Sequence, residues 1–358
     1  MRKIILTEFY PLKGHANLFS NTYRLLRNHY DVTAIITKDN ELHDESCITI
    51  PFSYYKDTKW LYLNRLLLLL YSFRVFYAII KEAKRVGVNE IVCLTYDEVS
   101  LFFCSFFLPR GKNVFLMHHV NIDNITKSKI KRWMFEKYKN KYSHIVQCGF
   151  IADYMVSNFD IKNVLVWPHP LNRVNQENVK RDIDCVGISN SNDEHLINDL
   201  IIAETTKEIF KKNGLFVVLK SKKQKFDNGY LKIINGFLPN DVYNDYIARA
   251  KSIFLPFPAQ FNMRMSGTLI DGLTNRKPLI ATSIPLIRES SKCYPHIIKV
   301  YNRDTIITIL QSFNLKGTLE KEFDEFRNFH SDENLMKIMF SSLDSAIEHR
   351  TIDNIFDF

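Results

Sequence analysis

The stretch Ser252–Thr282, SIFLPFPAQFNMRMSGTLIDGLTNRKPLIAT, reads as strand, loop, helix and second strand. Ser252–Phe257 and Pro278–Thr282 are short apolar runs without polar alternation, the pattern of strands covered on both faces of a parallel sheet. Ser266 suits the N-cap of the helix between them. Gly267 lets a ligand approach the backbone, and the unpaired N–H groups of a first helical turn favour a phosphate. Arg264 stands just before that turn, where a planar guanidinium matches a diphosphate. Lys220, ending an earlier strand, offers a second positive charge. Asp271, one turn into the helix, offers an acceptor to ribose hydroxyls.

The same alternation fills the rest of the chain. In the first half, strands at 3–7, 32–37, 48–51, 90–95, 113–118 and 144–148 alternate with helices at 16–29, 61–86, 98–107 and 127–142. The pattern restarts after the proline-flanked His169 and a polar run to Arg181, which marks a linker. Strands at 183–188, 215–220, 231–234, 252–257, 278–282 and 297–300 follow, then a helical tail from 319. A chain of 358 residues fits two domains. The expectation is α/β: two Rossmann-like domains, 1–170 and 171–358, facing each other across a cleft, with terminal helices able to pack back on the first.

With R-x-S-G-T-L-x-D-G-L at Arg264–Leu273, R-K-P-L-I-A-T at Arg276–Thr282, then Ile284-Pro285 and Glu289, the chain resembles the donor-binding core of GT-B glycosyltransferases. The likeness points most to bacterial enzymes of capsule or O-antigen type polysaccharide synthesis. It implies that Arg264 and Lys220 neutralise the diphosphate of a nucleotide sugar. Ser266, Gly267 and Thr268 would bind phosphate oxygens, Asp271 would meet ribose or sugar, and Glu289 would lie near the following loop. Met263 and Asp271 stand where many retaining members carry two glutamates, so stereochemistry stays open. In the first domain, Lys13-Gly14-His15-Ala16 replaces the family's glycine-rich loop, and His118-His119 matches a histidine-containing loop after a strand.

An inverting transferase needs a base for the acceptor hydroxyl proton. Strand ends supply His119, Asp97 or Glu98, His15 and Glu8. Asp97 and Glu98 would serve equally as helix caps. The donor stretch has no D-x-D, and cations with a helix N-terminus can carry the diphosphate, so no metal and no resident cofactor is expected.

The net charge of +9 suits an anionic partner. Residues 1–170 hold 23 Lys and Arg against 15 Asp and Glu, whereas 171–358 hold 25 against 24. The segment 127–141 has seven Lys and Arg against Glu136 alone, with Ile130, Met134 and Tyr138 read as its buried stripe. Trp60–Ile80 is long and apolar, but Asn64, Arg65 and Arg74 interrupt it; it suits an internal helix or one lying on an anionic bilayer. Six scattered cysteines without C-x-x-C fit a reducing cytosol.

The leading expectation is a cytoplasmic glycosyltransferase, peripheral on the inner face of the plasma membrane. It would move a sugar from a nucleotide donor to a polyprenyl-linked glycan or glycolipid acceptor. A sugar-nucleotide epimerase or hydrolase of the same fold, or a non-catalytic basic scaffold protein, are the alternatives. Nucleic acid is not an expected partner, since no recognition helix or stacking motif accompanies the charge.

Overall fold

Two seven-stranded sheets organise the chain in the computed structural model, which describes residues 1–9, 16–38, 47–51, 60–109, 111–236, 238–301, 305–313 and 318–356. The chain divides into two compact units, residues 1–170 with 332–358, and residues 171–331.

The first unit begins with β1 (Lys3–Thr7), α1 (Ala16–Leu26), β2 (Asp31–Thr37), β3 (Ile48–Ile50) and α2 (Leu61–Arg85). It continues with β4 (Glu90–Cys93), α3 (Glu98–Cys104), β5 (Asn113–Met117), α4 (Asn121–Lys127) and α5 (Lys129–Tyr138). β6 (Ser143–Val146), α6 (Gly149–Phe159) and β7 (Val164–Val166) complete the sheet. Its order is β3-β2-β1-β4-β5-β6-β7, all parallel.

The second unit runs β8 (Ile183–Gly187), α7 (Glu194–Lys207), β9 (Val217–Ser221), β10 (Phe226–Asp227), β11 (Leu231–Asn235) and α8 (Asn240–Arg249). β12 (Ala250–Leu255), α9 (Gly267–Thr274), β13 (Leu279–Ala281), α10 (Pro285–Cys293) and β14 (Ile298–Val300) follow. α11 (Ile306–Ser312) and α12 (Thr318–Phe329) close it. The strand order is β10-β11-β9-β8-β12-β13-β14, antiparallel only between β10 and β11. Strands that are buried on both faces explain the unbroken apolar runs of the sequence.

Glycines set how closely this second sheet packs. A Cβ on Gly187 would stand 2.7 Å from Leu219 and 2.9 Å from the Phe254 carbonyl, so β8 lies close against both neighbours. A Cβ on Gly272 would stand 2.8 Å from Leu279 and 3.1 Å from Ile253, which brings α9 down onto β12 and β13. Lys277, fully buried, donates from Nζ to the carbonyls of Ala248 (3.0 Å) and Ala250 (2.7 Å), closing the end of α8. Burial pushes its amine down to about 7.

Three elements bear on the expected organisation. The last helix, α13 (Asp332–Phe356), belongs to the first unit, so the second ends at Ser331. Leu335, Met339, Leu343 and Ile347 of α13 enter the core around β1 and β2. The Trp167 indole donates to Ser342 (3.0 Å), and Asp344 takes bonds from Tyr30 (3.0 Å) and Arg2 (3.1 Å). Next, the basic segment runs from the end of α4 through α5 to a turn at 139–141, and Ser128 caps α5 by accepting the Lys131 N–H (3.3 Å). Within α5, Phe135 and Tyr138 face inward, Met134 is half-buried and Ile130 is exposed. Finally, α2 is long and apolar enough to cross a membrane, yet Val75, Ile79 and Ala83 along one face are wholly buried in the unit.

Since Leu343 is completely enclosed, Leu343→Ala should lower stability by about 2–5 kcal/mol. Urea titration of tryptophan emission measures this. The exposed Lys337→Ala should change it by less than about 0.5 kcal/mol.

Candidate functional site

In the second unit, the carboxyl ends of the adjacent strands β9, β8 and β12 carry most of the residues expected to meet a donor. Ser266 takes extended dihedrals (φ −111°, ψ 118°) and its hydroxyl accepts the Leu269 N–H at 3.2 Å, which caps α9. Gly267 then opens the helix at the surface, and an added Cβ would meet nothing within 4 Å. The backbone of α9 is thus open to approach at Gly267.

Arg264 is aimed by aromatic stacking. Its guanidinium carbon lies 3.9 Å from the centre of the Phe261 ring, and Phe261 stacks on Phe257 at 4.1 Å with an interplanar angle of 20°. Both rings are buried, so the cation rests on a fixed platform; such contacts contribute about 0.5–2 kcal/mol. At the end of β9, separated from β12 by β8, Lys220 Nζ donates to the side-chain carbonyl of Asn190. Burial, then the charge of Lys222, lowers its affinity for a proton. The Asn192 amide ties the two strand ends by donating to the carbonyls of Gly187 (2.7 Å) and Lys220 (2.9 Å).

Asp271 has another task than the expected ribose contact. It is buried, and both oxygens are engaged within the unit: Tyr243 donates to Oδ2 at 2.7 Å and Asn172 to Oδ1 at 3.1 Å. Burial pushes its carboxyl up to about 6, against the pull of those two bonds. The Tyr243 hydroxyl also lies 3.3 Å from Thr268 Oγ1, so the side chain of Thr268 faces inward as well. One turn on, Asn275 accepts the Val174 N–H (2.9 Å) and donates to the Asn172 carbonyl (3.0 Å). Asp271 and Asn275 thus fasten the segment entering the unit to α9. Glu289 is exposed on α10 and pairs with Lys292 (2.8 Å).

In the first unit, Glu8, Asp97, Glu98, His118 and His119 follow the adjacent strands β1, β4 and β5. Asp97 is the N-cap of α3, accepting the N–H and the hydroxyl of Ser100, each at 2.9 Å. That geometry commits Oδ1 to the helix and departs from the expectation of a base. Glu98 is buried and accepts from Asn121 (3.1 Å), Asn124 (2.9 Å) and Lys131 (3.0 Å). His118 joins a buried chain in which Tyr96 donates to its Nδ1, its Nε2 donates to His144, and His144 donates to the Lys139 carbonyl, at 2.8, 2.8 and 2.9 Å. Burial, with His144 and His119 nearby, keeps His118 neutral at physiological pH. His119 is buried too, and Nε2 donates to the Leu94 carbonyl at 2.7 Å. A carbonyl partner requires the proton on Nε2, so the lone pair of the neutral ring is on Nδ1. His15, with Lys13 and Gly14, lies outside the described residues.

The fold is shared with solved structures over nearly the whole chain. WaaG, a glycosyltransferase involved in lipopolysaccharide biosynthesis, matches at a TM-score of 0.59 with 9% identity, over 96% of this chain and 98% of its own. The fold is that of the GT-B glycosyltransferases. UGT2 of Phytolacca americana, solved with UDP-2-fluoroglucose and pterostilbene, gives 0.59 at 9% identity, covering 95% and 98% of the two chains. A protein from Listeria monocytogenes described as a UDP-N-acetylglucosamine 2-epimerase gives 0.61 at 10% identity, with 97% of both chains covered. No family model matches the chain, and no curated protein sequence does.

Two substitutions separate packing from approach. Gly272→Ala should destabilise the second unit by about 1–3 kcal/mol through overpacking, whereas Gly267→Ala should leave its melting unchanged. For Asp271, the folded state holds a proton between about pH 4 and 6 that the unfolded state releases. Stability should therefore fall as pH rises through that window, and Asp271→Asn should flatten this part of the urea-denaturation profile.

Proposed function

We propose that the chain is a glycosyltransferase that moves a sugar from a nucleotide donor to a glycan or glycolipid acceptor. Arg264, held over Phe261 beside the capped and open start of α9, is the observation that carries this reading. The donor diphosphate sits against the first N–H groups of α9, with the guanidinium on its oxygens and Lys220 completing the positive lining. As the acceptor hydroxyl attacks the anomeric carbon, the bond from that carbon to the diphosphate breaks. Negative charge then grows on the leaving oxygen, where fixed donors lower the barrier without reorganising. The hydroxyl proton passes to a base, a role this reading assigns to His119 of the first unit, whose ring is held by the Leu94 carbonyl. No metal enters this scheme. The acceptor is a lipid-anchored glycan of cell-surface polysaccharide synthesis, and the enzyme works at the cytoplasmic face of the plasma membrane. The resemblance of the α9 region to capsule and O-antigen enzymes supports this setting.

The likeness to the Listeria protein favours a second reading, an epimerase acting on a UDP-sugar. Such an enzyme converts its donor in the absence of any acceptor, which a transferase does not.

A thermal-shift screen with UDP, GDP, CMP and dTDP sugars tests the site. One donor class should raise the melting temperature by about 2–4 °C at ~100 Kd. Arg264→Ala should remove the shift. Phe261→Leu should weaken donor binding severalfold while Phe261→Tyr restores it, because the ring's task is to aim the guanidinium. No shift with any donor, or an equal shift in Arg264→Ala, would overturn the assignment.

A further inference from the structure

We infer that the surface formed by α2, α3 and α5 of the first unit is a docking face for an anionic phospholipid bilayer, entered by side chains rather than spanned by a helix. The outward face of α2 is apolar where a helix in water should be polar. Leu63, Leu66, Leu70, Phe73 and Tyr77 fall at spacings of three and four along one stripe, and Leu66 and Leu70 are 52% and 50% exposed. The opposite face of the same helix is core, so α2 cannot leave the unit to cross a membrane.

The stripe continues beyond its own helix. Phe73 meets Phe107 edge-on at 5.8 Å, just after α3. Phe106 and Phe107 are 63% and 67% exposed, an unusual outlay of aromatic area for a side facing water. The buried ring of Phe102 links Phe106 (5.2 Å) to Trp133 on α5 (5.6 Å), and Trp133 and Ile130 are again exposed. One apolar band therefore runs across three helices, and a tryptophan at its edge suits the bilayer interface.

Charge decides what covers this band. Residues 60–141 carry 14 Lys and Arg against six Asp and Glu. Arg65, Arg74, Lys81 and Lys84 are exposed along α2, as are Lys129 and Lys137 on α5. Most of the acidic residues are withdrawn: Glu98 and Asp123 are buried, Glu82 pairs with Arg85, Glu136 pairs with Lys139 at 2.7 Å, and Asp97 caps α3 at 3.9 Å from Arg65. A second copy of the chain would set this cationic rim against itself. An anionic leaflet receives both the apolar band and the charge around it. The face accords with the proposed lipid-anchored acceptor, though its chemistry stands apart from donor binding.

Flotation of the full chain with phosphatidylcholine vesicles, with and without 30% phosphatidylglycerol, tests the assignment. Binding is expected with the anionic vesicles at low salt, with a blue shift of Trp133 emission in a Trp60→Phe background. Leu66→Gln/Leu70→Gln/Phe106→Ser should reduce the bound fraction about tenfold with unchanged melting, since all three positions are exposed. Lys129→Glu/Lys137→Glu should remove the preference for anionic lipid. Failure of the wild type to float, or flotation of the triple variant like wild type, would overturn the docking face. So would a solution dimer that the triple variant dissociates. Nucleotide-sugar binding without vesicles should be the same in all of these proteins. Loss of donor binding in the wild type with flotation intact would overturn the enzymatic reading alone.

Discussion

Helix α9 can present its first turn at the strand ends only because Gly272 lets its body rest on β12 and β13. Any side chain there would hold the helix off Leu279 and Ile253, and the N–H groups of its first turn would move with it. Gly187 does the same for β8 between Leu219 and Phe254. Close packing fixes where the helix lies, and polar bonds fix how it is turned. A buried carboxylate is costly unless its oxygens are satisfied. Asp271 meets that requirement through Tyr243 and Asn172, and in doing so joins α8, α9 and the segment before β8. The raised affinity of Asp271 for its proton is what remains of the desolvation cost.

The fold was legible because strands buried on both faces and Ser266 as a cap are local signals, written in consecutive residues. Asp271 was misread for the opposite reason. A carboxylate near a helix start suggests a ligand contact, and what removes it from solvent is Tyr243, 28 residues away, and Asn172, 99 residues away. The platform under Arg264 was missed because Phe257 and Phe261 lie in a loop, where aromatic spacing has no period to read. In retrospect, two phenylalanines shortly before an arginine and a helix cap were a usable signal. Asp97 shows an ambiguity that local sequence cannot resolve. The same residue after a strand serves as a base or as a cap, and only the Ser100 bonds decide it.

Adjacent residues also divided in ways that a strand-end pattern does not encode. His118 and His119 are both buried, yet one is absorbed into a chain through His144 and the other is oriented by a strand carbonyl. Alternation within a strand suggests one residue inward and one outward. Beyond the strand end, Asn121 and α4 cover this edge, and the alternation no longer applies.

Net charge proves a poorer guide than its local pairing. The division at residue 170 placed nearly all of the surplus in the first half, but residues 332–358 belong to that unit and bring six acidic and two basic residues. The surplus then becomes +4 for the first unit and +5 for the second. What distinguishes the two is where the charges are spent. In the second unit, Arg249 pairs with Asp182, Lys251 with Asp184, Arg276 with Glu320 and Asp324, and Lys292 with Glu289. Exposed pairs of this kind contribute little to stability, but they cancel the field their cations would project. Around α2 and α5 most acids are instead buried or paired on their own helices, Asp97 caps α3 beside Arg65, and the exposed cations border an apolar band. The attraction for an anionic surface thus comes from the withdrawal of nearby carboxylates, which a count of charges along the chain does not detect.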